Sequence, residues 1–147
     1  MLKPLKEWLC DNCGKVIKSP EDGYVIWRTN DEHQEYDFRI IHQDICDNKS
    51  YPSSMALDEF LGPKGLVYLT SFLSIGKVMN NLGRNSRSRI KNLDEFVDLL
   101  RRVQVPYYEE ARKKFSEEHI LEDMSDANEV SPYQENTLKR IIKESYD

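Results

Sequence analysis

Three cysteines and one histidine in the first third of the chain have the spacing of a metal site. Cys10 and Cys13 are separated by two residues and followed by Gly14, which suits a tight turn that directs two thiolates at one ion. His42 and Cys46 are four residues apart, so they suit one face of a helical turn or the turn that leaves a strand. Together they supply three sulfurs and one imidazole, a complete tetrahedral ligand set for Zn²⁺.

The chemistry of this ligand set favours a structural zinc over a catalytic one. Catalytic zinc keeps one position open for water or substrate, whereas four protein ligands fill the tetrahedral shell. The alternatives are three ordinary buried cysteines with an incidental histidine, or a redox pair formed by Cys10 and Cys13. Asp11 and Asp44 are candidate partners for the ligands, although carboxylates in turns are more often solvated.

The segment from Cys10 to Cys46 resembles a treble-clef-type zinc module, in which a zinc knuckle, a hairpin and the start of a helix share one ion. The resemblance covers about a quarter of the chain and concerns the fold alone. It implies a structural support for contacts with protein or nucleic acid, and it implies no particular reaction.

Two strand patterns lie between the two halves of this site and predict the hairpin that brings them together. Gly23–Thr29 is aromatic and β-branched and follows a run of turn residues. Residues 36–41 alternate between apolar and charged side chains, and residues 30–32 have the composition of a loop. Residues 1–50 are therefore predicted to form a small zinc-stapled β-hairpin module.

Residues 51–124 change to helical periodicity and predict a mainly α-helical body of about four helices. The first apolar repeat in this region runs as far as Gly62 and Pro63, which are predicted to end that helix. Residues 65–79 are apolar on almost every face, which is typical of a helix at the centre of a core.

The later part of this body has its own start and stop signals. Asn92 and Glu95 have the spacing of a capping box, which places a helix start at Asn92. Pro106 is predicted to break or kink that helix, and a helical period then continues over residues 106–124. The predicted fold class is therefore α+β, with the zinc module followed by the helical body.

Residues 125–147 are predicted to form an acidic tail with a short C-terminal helix. Ser131 and Pro132 are a helix-start signal, since proline is favoured in the first turn. The helix would carry a narrow apolar stripe that could dock on the body, on another subunit or on a partner. The stripe consists of Leu138, Ile141 and Ile142.

Composition limits the class of protein before any motif is considered. The chain has 147 residues, of which 39% are hydrophobic and 32% charged, so one domain with at most a small appendage is expected. The net charge of -5 disfavours a generic basic protein that binds nucleic acid or a membrane surface. The N-terminus has no secretory pattern and the thiols have no disulfide arrangement, so a cytoplasmic protein without a membrane span is expected.

The charge is unevenly distributed along the chain, and its basic part contains a second candidate site. Residues 1–50 carry a net charge of -3, residues 51–115 carry +4 and residues 116–147 carry -6. The basic residues Arg84, Arg87, Arg89 and Lys91 lie in a segment rich in glycine, asparagine and serine. Such a segment could contact the phosphates of a nucleic acid, but it could equally be a solvated loop or pair with the acidic tail.

A third candidate is an enzyme site in a cleft between the zinc module and the helical body. Its residues would be Tyr107, Glu109, Glu110 and His119, which are titratable groups close to aromatic ones. Many proteins without activity share that feature, so a catalytic role is not favoured.

The sequence therefore predicts a non-enzymatic, zinc-containing interaction or regulatory protein. Its expected partner is another protein or a second copy of the chain, with a nucleic acid as the alternative and no membrane. The expected cofactor is one structural Zn²⁺ bound by Cys10, Cys13, His42 and Cys46.

Overall fold

Two small antiparallel sheets form the N-terminal part of the protein. The computed structural model describes residues 1–47, 50–84 and 88–144, and within these ranges it contains five strands. The two-stranded sheet pairs β1 (Trp8–Leu9) with β2 (Val16–Ile17). The three-stranded sheet has the order β4-β3-β5 and consists of β3 (Gly23–Thr29), β4 (Glu35–His42) and β5 (Ser53–Ala56).

Six α-helices follow the sheets in the same described ranges. They are α1 (Gly62–Leu73), α2 (Gly76–Asn81), α3 (Leu93–Gln104), α4 (Tyr108–Ala111), α5 (Glu118–Asp123) and α6 (Glu135–Glu144). This combination of antiparallel sheets and helices confirms the predicted α+β class. None of these described helices has the length and apolar character that crossing a bilayer requires.

The predicted hairpin is confirmed. β3 has the predicted bounds, and β4 extends the predicted strand of residues 36–41 by one residue at each end. The alternation of apolar and charged residues explains why β4 was predictable, because Phe38 and Ile40 are buried in the core while Arg39 between them is exposed.

The prediction that Gly62 and Pro63 end a helix was wrong, because they begin one. The preceding residues form β5 and a 3₁₀ turn (Leu57–Phe60), and α1 starts at Gly62 with Pro63 in its first turn. Proline is tolerated there because the first N–H groups of a helix have no intrahelical acceptor. Gly65 allows the helix to pack on the turn, since a Cβ at Gly65 would clash with the backbone carbonyl of Phe60.

The prediction of one central helix over residues 65–79 was also wrong. The chain leaves the helical conformation at Ser74 and turns at Gly76, which has a φ of +81°, so α1 and α2 are separate helices. Only one stripe of α1 is buried, and Val67 and Val78 are 73% and 70% exposed. These two short helices therefore expose apolar side chains that a single core helix would have buried.

Of the predictions for residues 92–124, the helix cap and the helix end are confirmed, and the continuous helical period was wrong. The cap is confirmed, because the side chain of Asn92 accepts a hydrogen bond of 3.1 Å from the backbone N–H of Glu95. α3 ends at Gln104, shortly before Pro106, as predicted. The continuous helical period over residues 106–124 was wrong, because that stretch divides into α4, a 3₁₀ turn and α5.

Two hydrophobic clusters hold these elements together. The larger cluster runs from Trp8 to Val103 and joins both sheets to α1 and α3 through a set of stacked and edge-on aromatic rings: Trp27, Phe38, Phe60, Phe72 and Phe96. The smaller cluster joins α4, α5 and α6 and contains the buried tail stripe of Leu138, Ile141 and Ile142. Of the three docking options for that stripe, packing on the body of the same chain is the one observed.

Candidate metal centre

The four predicted ligands lie together in the structure. Cys10 and Cys13 belong to the turn that connects β1 to β2, His42 is the last residue of β4, and Cys46 lies in the turn that follows. The possible ligand atoms of all four residues lie within 4.8 Å of one another. We call the turn between β1 and β2, residues 10–15, the knuckle. The antiparallel pairing of β3 with β4 returns the chain to the knuckle, so the hairpin brings the two halves of the group together.

Backbone hydrogen bonds define the turn that carries the first two cysteines. The N–H of Gly14 donates to the carbonyl of Cys10, and the N–H of Cys10 donates to the carbonyl of Lys15, both over 2.9 Å. Gly14 has a φ of +76°, a conformation that side chains other than glycine rarely adopt. The N–H groups of Asn12 and Cys13 lie 3.4 and 3.5 Å from the Cys10 sulfur, so this turn is built to support a thiolate.

The ring of His42 is oriented by a backbone carbonyl. Its Nε2 lies 3.1 Å from the carbonyl oxygen of Val16, which lies on β2. If Nε2 carries the proton, it donates to that carbonyl and leaves the lone pair of Nδ1 free for a cation. Nδ1 faces the sulfurs, at 3.4 Å from Cys13 and 3.8 Å from Cys46.

The two separations between the His42 nitrogen and the sulfurs are close to those expected around a tetrahedral metal ion. Bonds of about 2.1 to 2.3 Å to nitrogen and sulfur set neighbouring ligand atoms about 3.5 to 3.8 Å apart. The distances from the His42 nitrogen to the sulfurs of Cys13 and Cys46 lie close to that range. Cys10 and Cys46 are buried while Cys13 is exposed, so the site lies at the edge of the core with one side open to solvent.

The thiols have unequal acidities because their surroundings differ. Burial alone raises the pKa of Cys10, but hydrogen bonds from the backbone of Cys13, His42 and Asn12 outweigh it and lower that pKa to about 6. For Cys46, a hydrogen bond from the Asn12 side chain lowers the pKa, but burial and the adjacent Cys10 and Cys13 outweigh it and raise the pKa. Crowded thiols resist joint ionisation, and a divalent cation removes that obstacle by binding them as thiolates.

The second pair of candidate ligands lies where β4 ends and not on a helix. Of the two geometries that the sequence allows for His42 and Cys46, the turn that leaves a strand is the one observed. The described residues on either side, up to Asp47 and again from Ser50 to β5, contain no helix at this point. The helix start that the treble-clef resemblance implies at this position is therefore not found among them.

The knuckle is tied to the helices through the buried Arg102. The guanidinium is 3% exposed and binds the carboxylate of Glu109 with two hydrogen bonds of 2.7 and 2.8 Å. A third hydrogen bond, of 2.7 Å, goes to Asp11, whose carboxylate also accepts the N–H of Ile40. A fourth goes to the carbonyl of Leu9, so the buried charge is paired and holds α3 and α4 against the turn that carries Cys10 and Cys13.

Sequence reasoning missed this network. The interpretation of Asp11 as a solvated turn carboxylate was wrong, because Asp11 lies between Cys10 and Asn12 and pairs with Arg102. One signal was present: Arg102 follows Leu99 by three residues and so shares the buried face of α3. Asp44 is exposed and has a φ of +68°.

The basic segment does not present four free cations to solvent. Arg87 lies outside the described residues, and Arg84 is exposed. Arg89 forms a 3.5 Å ion pair with Glu35 and its guanidinium lies 4.6 Å from the centre of the Phe72 ring. The ammonium of Lys91 lies 4.7 Å from the centre of the Tyr36 ring. Two of the predicted contact residues are thus held along the edge of β4.

The backbone of the same segment explains why it lies there. The N–H of Glu35 donates to the carbonyl of Arg89, and the N–H of Lys91 donates to the carbonyl of Glu35 over 3.1 Å. These bonds form a parallel bridge between Glu35 and Ile90, which is buried. The end of the basic segment therefore closes one edge of the three-stranded sheet.

Of the residues considered for catalysis, Tyr107, Glu109 and Glu110 line one small cavity, and His119 is not part of its lining. Glu109 is buried and paired with Arg102, whereas His119 is half-exposed beside Glu117, at 3.6 Å. A polar cleft of about 350 Å³ does lie between β4, α3 and the knuckle. Its lining carries both signs of charge and includes Asp11, Asp37, Arg39, Glu95, Asp98 and Arg112.

Comparisons with known proteins identify no relative. Neither the protein-family models, nor the curated proteins, nor the solved structures give a match. The proposals that follow therefore depend on the geometry of this chain.

Proposed function

We propose that Cys10, Cys13, His42 and Cys46 bind one structural Zn²⁺ and that the protein acts as a non-enzymatic interaction module. The observation that supports this most is the convergence of three sulfurs and one imidazole nitrogen within 4.8 Å. Thiolate and imidazole are the ligands that zinc takes in structural sites, and four of them complete its shell. When bound, the ion would supply cross-linking of the knuckle to the hairpin and no reactive water.

A structural role is supported by the small amount of local structure around the knuckle. β1 and β2 have only two residues each, which is too short for an independently stable hairpin. A metal that binds only the folded state adds its binding free energy to folding. The ion would thus add to the burial of Trp8 and Ile17, the side chains with which β1 and β2 join the larger cluster.

An interaction role is supported by what the zinc-bound part would hold in place. The network from Asp11 through Arg102 to Glu109 joins the knuckle to α3 and α4. Order in the knuckle would therefore fix the helical part, whose exposed surfaces are available to a partner. The expected partner is a protein.

The two histidines of the β module provide a matched test of the metal proposal. We expect His42→Gln to lower the melting temperature and to abolish stoichiometric zinc, because the variant loses one of four ligands. His33→Gln serves as the control, since His33 lies in the exposed loop between β3 and β4 and belongs to no ligand group in the described structure. Equal zinc content and equal melting temperatures for the two variants would overturn the proposal.

A further inference from the structure

The chain separates its charges into two long segments of opposite sign. Residues 60–93 contain six basic residues and no aspartate or glutamate. Residues 115–138 contain seven acidic residues and no lysine or arginine. Like charges within one exposed segment repel one another, so an arrangement of this kind favours contact with a surface of the opposite sign.

The basic segment contains an exposed apolar stripe, which we call the α2 surface and define by Lys77, Val78, Leu82 and Arg84. Val78 and Leu82 are four residues apart, so they lie on one helical face, and they are 70% and 64% exposed. Lys77 and Arg84 flank them, are exposed, and form no ion pair with any other described residue. Aliphatic side chains between two free cations therefore face solvent.

The acidic segment contains the complementary arrangement, which we call the α5 surface and define by Glu118, Leu121 and Glu122. These residues have the spacing of a single helical face, and Leu121 is 57% exposed between two exposed glutamates. The opposite side of α5 is anchored, because Ile120 is 2% exposed in the smaller cluster. The α5 surface is thus held in place on a packed helix and directed outwards.

We propose that the α5 surface of one copy of this chain binds the α2 surface of a second copy. Leu121 would pack against Val78 and Leu82, while Glu118 and Glu122 would face Lys77 and Arg84. Each surface is exposed in the single chain, and no ion pair joins the two among the described residues. The inference rests on the proposed role as an interaction protein, but it does not depend on the metal.

The exposed aliphatic side chains of the α2 surface favour a protein over a nucleic acid as its partner. Single-stranded nucleic acid binds stacking aromatic rings and duplex DNA binds rows of cations. The exposed apolar residues of the α2 surface are aliphatic, while Tyr68 and Phe72 of α1 pack into the core. Arg89 and Lys91 are already engaged with Glu35 and Tyr36, which leaves few free cations among the described residues for phosphates.

Because the two surfaces differ, the contact would be heterologous. Such a contact joins copies head to tail, and it forms a ring where the rotation closes and a chain where it does not. Association should therefore rise with protein concentration and weaken with added salt, since part of the contact is electrostatic.

Charge reversal of each surface separately gives a sharp test. Variant A carries Lys77→Glu and Arg84→Glu, and variant B carries Glu118→Lys and Glu122→Lys. Sedimentation velocity of the full chain is measured for the wild type, for A, for B and for an equimolar mixture of A and B. We expect each variant alone to associate at least about tenfold more weakly than the wild type, because like charges now face each other. We expect the mixture to recover the association, because opposite charges meet again.

Zinc content and melting temperature of both variants separate this inference from the metal proposal. All four substitutions are at exposed positions, so both properties should match those of the wild type. A zinc-loaded wild type that stays monomeric up to about 1 mM would overturn the self-association alone. Association that is equally strong in the wild type and in both variants would also overturn the self-association. Binding of a random-sequence DNA duplex that is lost in variant A, in a monomeric protein, would overturn it and assign the α2 surface to nucleic acid.

Discussion

The metal centre and the α2 surface use the same kinds of residue in opposite ways. Around the knuckle, charged groups are buried and paired: Arg102 makes four hydrogen bonds at 3% exposure. On the α2 surface, Lys77 and Arg84 are exposed and pair with no described residue, beside aliphatic side chains that are also exposed. Charged groups that are buried with partners therefore indicate a part that maintains the fold, whereas charged groups that are exposed without partners indicate a part that is available for contact.

The largest effect on stability is expected from replacing one of the four residues of the candidate metal centre. Cys46→Ser removes one of the four proposed ligands, which is buried, and structural zinc in small modules contributes on the order of 10 kcal/mol to folding. We expect amide hydrogen exchange to accelerate strongly in β1 and β2 while the α4–α6 cluster keeps most of its protection. Unchanged exchange in β1 and β2 would show that the apolar core alone holds the knuckle.

A smaller but still large effect is expected from Arg102→Met, which leaves the buried carboxylate of Glu109 and the partly buried carboxylate of Asp11 without their partner. Breaking one side of a buried ion pair typically costs about 3 to 5 kcal/mol, and Asp11 and Glu109 would both lose a charge-assisted bond. Denaturant unfolding measures the change. Arg140→Met is the control, since Arg140 forms an exposed pair with Glu144 on α6 and should shift stability by less than about 0.5 kcal/mol. Similar losses in both variants would remove the distinction between paired and exposed charges.

A moderate, pH-dependent effect is expected at Asp98, which lies at the edge of the polar cleft. Burial alone raises the pKa of Asp98, but hydrogen bonds from Arg112 and Tyr108 outweigh it and hold that pKa below its usual value of 3.8. A lowered folded-state pKa stabilises the fold above the unfolded value, and the contribution disappears as the pH falls through the folded-state value.

The variant Asp98→Asn should therefore be less stable than the wild type near neutral pH, by about 1 to 2 kcal/mol. The difference should stay constant down to about pH 5 and shrink below pH 4. Urea unfolding of both proteins across this range measures it. A difference that grows with falling pH would contradict the assigned direction of the pKa.

The smallest effect on stability is expected from a substitution on the α2 surface. Val78→Ser removes an apolar group that is 70% exposed, so the free energy of unfolding should change by less than about 0.5 kcal/mol. Self-association should nevertheless weaken measurably, because the stripe loses one of its two aliphatic side chains. A stability loss above about 1 kcal/mol would show that Val78 belongs to the core.

The sequence was sufficient to predict that Cys10, Cys13, His42 and Cys46 come together, and to predict the hairpin between the two pairs. Both depend on local rules: ligand spacing for Cys10 and Cys13, and side-chain alternation for β3 and β4. The cap at Asn92 was predictable for the same reason, since its hydrogen bond to Glu95 spans three residues.

Other features could not be predicted because they depend on residues far apart in the chain. Arg102 is 91 residues from Asp11, and no local pattern predicts that these two side chains meet. Pro63 is equally compatible with the end of one helix and the first turn of the next. The apolar run over residues 65–79 suggested a buried helix, but the turn at Gly76 divides it and exposes Val78.

The central claim, that Cys10, Cys13, His42 and Cys46 hold a structural zinc ion, is tested most directly by elemental analysis. The full chain is purified without chelator, and bound metal is measured per chain before and after dialysis against a strong chelator. We expect one zinc ion per chain, together with a melting temperature that falls when the metal is removed and recovers when zinc is returned. A chain that contains no stoichiometric metal and melts identically before and after the chelator would contradict it.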